Sequence, residues 1–104
     1  MNQIFWTGIC YEDRLPGLSR IEECIGKYGF ITDFKFFSDI SVSMLIEIDG
    51  KKIEVLYEKL LQIISISKNS ELIPDYETEF LILFNITFTK GTGNLKAEIS
   101  SVPG

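Results

Sequence analysis

A chain of 104 residues with 45% apolar content is the size of one domain and can build one core without metal or disulfide staples. Fifteen acidic against ten basic residues leave a net charge of −5, which disfavours phosphate backbones and anionic lipid and so argues against nucleic acid and membrane as partners. Histidine is absent, and with it the commonest general base and the commonest metal ligand, so no nucleophile–His arrangement is available and no cofactor is implied.

No apolar run is long enough to span a bilayer, and Met1-Asn2-Gln3 leads into a strand-like segment without a basic region or a small-residue cleavage site. The expectation is a soluble, cytoplasmic protein. Residues 3–11 alternate Ile4, Trp6, Gly8 and Cys10 on one face with Phe5, Thr7, Ile9 and Tyr11 on the other. A strand apolar on both faces belongs in the interior of a sheet. Pro16 and Gly17 then open a helix whose buried stripe is Leu18, Ile21, Cys24, Ile25 and Tyr28, with Gly29 just past its end. Cys10 and Cys24 stand at core positions of this strand and helix, with no metal-ligand spacing around them; reduced thiols and a strand-to-helix disulfide are both open.

Residues 30–37 read as a second strand, Ser38-Asp39 as a turn, and residues 40–48 as a third strand with Val42, Met44, Ile46 and Ile48 on one face and Ser41, Ser43, Leu45 and Glu47 on the other. Helical period returns at Ile53, Leu56, Tyr57, Leu60 and Ile64, which predicts a helix over 51–64 with Asp49 as its N-cap. Residues 65–76 read as a polar connection. Residues 78–89 alternate Phe80, Ile82, Phe84, Ile86 and Phe88 against Leu81, Leu83, Asn85, Thr87 and Thr89. A glycine-rich turn over 90–94 and a short fifth strand over 95–102, ended by Pro103, complete the reading.

Strand, helix, strand, strand, helix, strand is the split βαβ plan of ferredoxin-like α+β domains. The expected architecture is a single domain over 1–104, an antiparallel sheet with the first and third strands central and both helices on one face. Phe5, Ile9, Tyr11, Leu45, Leu81 and Leu83 then project from the helix-free face. That is more apolar surface than a monomer leaves wet, so a homo-oligomer, a dimer in the simplest case, or coverage by the C-terminal segment is expected.

The junction Asp13, Pro16, Gly17, Leu18, Ile21, Ile25 and Gly29 resembles the opening of an ACT domain, a small-molecule sensor attached to many amino-acid metabolic enzymes and also found alone. This chain has two residues, Arg14 and Leu15, between the acidic position and Pro16, where the family usually has one. The resemblance implies a ligand site at a subunit interface formed by Asp13, Arg14, Pro16, Gly17 and Leu18, with a small carboxylate or amino acid as ligand. Gly17 permits close backbone approach and a helix start presents N–H groups to a carboxylate. Pro-Gly is equally a plain way to begin a helix after a strand.

Other patterns have blander readings. Gly91-Thr92-Gly93-Asn94 lacks the Gly-Lys and helix of a phosphate cradle and reads as a hairpin turn. Phe34, Phe36 and Phe37 beside Lys35 read as packing, not base stacking. Asp33, Asp39, Glu47 and Asp49 lack calcium-loop spacing and read as solvated acids, so no metal site is expected. Three functions stay open: a non-catalytic small-molecule sensing or regulatory domain; an acidic protein-binding module of the immunity or inhibitor kind; and a small enzyme using Tyr11, Arg14 or Asp33 in a sheet-face cavity.

Overall fold

The computed structural model describes residues 2–68 and 78–90. Its elements run β1 (Asn2–Cys10), α1 (Arg14–Gly26), β2 (Gly29–Ser38), β3 (Ser41–Asp49), α2 (Gly50–Leu60), β4 (Ser65–Lys68) and β5 (Glu79–Phe88). The five strands form one mixed sheet in the order β2-β3-β5-β1-β4. Both helices cover the face that carries Trp6, Met44 and Ile82.

The α+β class and the two-helix layer agree with expectation, and the strand order departs from it. With β5 left aside, the remaining four strands keep the split βαβ order β2-β3-β1-β4; β5 is intercalated at the centre. It runs parallel to β1, with Phe5 beside Leu83 and Trp6 beside Phe84, and antiparallel to β3, with Leu45 beside Leu83 and Met44 beside Phe84. The sheet is therefore mixed and not wholly antiparallel. β1 and β3 are interior strands as expected, but they do not touch each other.

The physical reason is visible in the side chains. Phe80, Ile82, Phe84, Ile86 and Phe88 are all buried in the core, while Leu81 and Leu83 on the other side are half-buried. A strand apolar on both sides gains most where neighbours flank it on both edges.

The fourth strand was not foreseen. Ser65-Ile66-Ser67-Lys68 is four residues long and has one apolar member, and it pairs antiparallel with β1, Ile66 lying opposite Gly8. Gly8 makes this corner possible: a Cβ there would stand 2.9 Å from Phe84 Cε1 and 3.2 Å from Ile64 Cδ1. The ring of Phe84 uses the space and meets Trp6 edge-on, with centroids 5.8 Å apart. Tyr57 of α2 packs on the other side of Trp6 at 5.4 Å.

Helix bounds shift modestly. α1 begins at Arg14, before Pro16, and ends at Gly26; Gly29 instead opens β2, where a side chain would strike the Glu47 carbonyl oxygen. α2 ends at Leu60, four residues before Ile64, which is buried beyond the following turn. Asp49 occupies the N-cap position without a side-chain cap bond, and the Gly50 N–H donates to the Thr78 carbonyl. The turn between β2 and β3 is Asp39-Ile40, one residue later than expected. The glycine-rich turn beyond Lys90 and the strand expected over 95–102 lie outside the described residues.

Phe84→Ala should cost about 3–5 kcal/mol of stability in denaturant unfolding, because it empties the ring shared by β5, Trp6 and the Gly8 corner. Thr7→Ala, on the exposed side of the adjacent strand, should stay within about 0.5 kcal/mol of the parent.

Candidate functional site

The junction between β1 and α1 is built by packing. Gly17 is buried within the first turns of α1, and a Cβ there would lie 2.7 Å from Cys10 Sγ. Its N–H donates to the Asp13 carbonyl at 2.9 Å, so it is occupied within the helix. Leu18 is buried beside it, whereas Asp13, Leu15 and Pro16 are exposed and Arg14 is half-exposed. Arg14 reaches back over the Phe36 ring of β2, 5.2 Å from its centroid. Of the five junction residues, then, Asp13, Arg14 and Pro16 face outward, while Gly17 and Leu18 belong to the seam between β1 and α1.

Gly17 has a packing task here: the absence of a side chain lets α1 lie against Cys10 and Phe88. Cys10 is fully buried, Cys24 is half-buried, and both are free thiols.

On the helix-free face the register gathers three of the six expected apolar residues into one row. Leu45 of β3, Leu83 of β5 and Phe5 of β1 lie side by side, with Leu81 next to Glu47 and Gln3 in the neighbouring row. Phe5 remains 45% exposed, and the three leucines are half-buried. Ile9 farther along β1 and Tyr11 just past its end are exposed, separated from that row by Thr7. Ser43, Asn85, Thr7 and Ser67 form a polar row beside it, and Ser41, Thr87, Ile9 and Ser65 the next. The face is an apolar row beside hydroxyl and amide rows, more mixed than the alternation alone implies. A shallow hollow of about 110 Å³ opens at its β2 side, lined by Asp33, Lys35, Phe37, Ser43, Leu45 and Leu83.

Catalytic geometry is sparse. No polar or charged residue is buried among the described residues, and no group of three metal-ligating side chains is brought together there. Tyr11 in the β1–α1 connection, Arg14 on α1 and Asp33 on β2, the residues weighed for an enzyme, line no common cavity among those described. No described helix is long and apolar enough to cross a membrane. Sequence reasoning missed a hollow of about 390 Å³ between the helices, lined by Arg20, Cys24, Lys27, Tyr28, Lys59 and Gln62 among others. The signal available was Arg20, Glu23, Lys27 at three and four residue spacing, which marks one side of α1.

No family model, curated protein or solved structure matches the chain.

Gly17→Ala should lower stability by about 1–3 kcal/mol, since the added methyl meets Cys10 within the core. Gly26→Ala at the open end of the same helix, where a Cβ meets nothing within 4 Å, should instead raise stability by about 0.5–1 kcal/mol. Thermal unfolding of the two variants checks the opposite signs.

Proposed function

We propose that the domain is a non-catalytic regulatory domain that works as a homodimer through its helix-free sheet face. The observation that carries this reading is the row Leu45–Leu83–Phe5, apolar across three adjacent strands and open to solvent. Apolar rows of that extent on a sheet are covered in working proteins. A second copy is the occupant that suits it. Phe5 stands out at the β1 side of the row and the hollow beside Leu83 and Leu45 opens at the β2 side, so a two-fold axis would set each protruding ring against the other copy's hollow. The residues Gln3, Phe5, Thr7, Ile9, Leu81, Leu83, Asn85 and Thr87 of the two central strands are all uncharged. These two strands can meet a second copy without opposing like charges, although each chain carries −5 overall, and the charged residues of the face, Glu47, Asp33 and Lys35, lie toward its β2 side.

The sensing use follows from the ACT resemblance and attaches to the exposed part of the junction. Asp13 and Arg14 are adjacent and of opposite sign, a pairing that suits the ammonium and carboxylate of an amino acid. Gly17 has no part in binding in this reading.

A second reading, an acidic protein-binding module, is favoured by one specific feature. Leu15 at 72% and Tyr11 at 55% exposure flank Glu12 and Asp13, an apolar pair with an acidic rim at the start of α1. A basic protein partner would fit that surface.

Leu83→Lys should convert the dimer to a monomer in sedimentation equilibrium at tens of micromolar, roughly the regime of moderate self-association. A parent protein already monomeric there, together with salt-sensitive capture of a defined basic protein that Leu15→Asp abolishes, would give the acidic module its place.

A further inference from the structure

The hollow between α1 and α2 lies on the helix layer, on the opposite side of the sheet from the dimer face. Its walls come from the second half of α1, the turn at Tyr28, the end of α2 and the turn after it. At about 390 Å³ it falls within the range of small-molecule sites. Its charge is opposite to that of the chain. Arg20, Lys27 and Lys59 line it against the single carboxylate of Glu23, in a protein with an excess of five acids.

The three cations are not equivalent. The Arg20 guanidinium donates to the Glu12 carboxylate, which fixes its position and neutralises part of its charge. Lys27 and Lys59 have no ion-pair partner among the described residues. Both ammonium groups act on the Cys24 thiol: burial pushes that thiol above its ordinary value, and the two lysines oppose the shift. The two lysines line the same hollow as this half-buried sulfur, Lys27 from the end of α1 and Lys59 from α2. Around them stand the phenol of Tyr28 and the amide of Gln62, which are hydrogen-bonding groups, and the apolar side chain of Ile63.

We infer that this hollow is a binding site for a small organic phosphate, with Lys27 at the end of α1 and Lys59 on α2 holding the phosphate and Tyr28 and Ile63 contacting an apolar body. Two ammonium groups without an ion-pair partner among the described residues suit the two charges of a phosphate monoester better than the single charge of a carboxylate. The mixed walls favour an ester over the bare ion. Because the site joins the two helices, its occupancy would tie α1 to α2 without touching the sheet face.

The test is a titration of the intact protein with phenyl phosphate and, separately, inorganic phosphate at constant ionic strength, followed by amide shifts of Cys24, Lys27 and Gln62. Phenyl phosphate should saturate with Kd on the order of 1 mM or tighter. Inorganic phosphate should bind more weakly, for want of the ring contact. The double variant Lys27→Gln, Lys59→Gln should weaken phenyl phosphate roughly tenfold or more, and Lys27→Arg, Lys59→Arg should largely retain it. Both lysines are exposed, so these variants keep the fold, which far-UV circular dichroism checks. Bound phenyl phosphate should also slow iodoacetamide modification of Cys24, the accessible one of the two thiols. Shifts that stay linear to tens of millimolar, roughly the range of unspecific contact, or saturation unchanged in the glutamine variant would overturn the assignment.

Discussion

The fold depends on β5 being hydrogen-bonded along both edges, in parallel to β1 and antiparallel to β3. Through these two ladders one strand joins the β2–β3 hairpin, which precedes α2, to the β1–β4 pair on the far side. Its five core residues, Phe80 to Phe88 at alternate positions, lie under both helices, and burying each contributes on the order of 1.5–3 kcal/mol. The same strand supplies Leu81 and Leu83 to the open face. Core and open face are therefore two sides of one alternation, and a change in β5 register by one residue would exchange them.

Much of this was legible in the residues. Helical spacing at Leu18, Ile21 and Ile25 and at Ile53, Leu56 and Leu60 marks the two buried stripes, and all six side chains are buried. Alternation in β1, β3 and β5 correctly assigns which side chains face the helices. The strand order was not legible in the same way, because a split βαβ plan prescribes β1 beside β3 and the chain places β5 between them. The evidence for that insertion was nevertheless present: residues 80–83 are apolar on both faces, the property that places β1 in the interior. β4 was illegible for a different reason. Ser-Ile-Ser-Lys has no periodic signal, and its pairing with β1 at the Gly8 corner is a long-range feature.

Site reasoning fared unevenly because sequence does not tell a glycine that admits a ligand from one that admits a neighbouring strand. At Gly17 the neighbour is Cys10, and the residue is part of the core seam. Pro16 and Asp13 stay outside, so the exposed part of the junction is smaller than its sequence pattern implies. Cys24, Lys27 and Lys59 show the reverse case. They are thirty-five positions apart at the extremes, and only the packing of α1 on α2 brings them to one hollow. The surface is thus divided among a mixed apolar and polar sheet face, an acidic junction and a hollow with a basic lining, over a core with no buried charged side chain among the described residues.

Amide hydrogen exchange, read residue by residue, tests the central position of β5 most directly. Amides of residues 81–87 should exchange more slowly than those of β2 and β4, the outer strands of the described sheet, because opening them requires loss of both ladders. Exchange over 81–87 as fast as in β2, with the slowest amides confined to β1 and β3, would contradict the intercalated strand and restore a sheet in which β1 and β3 are neighbours.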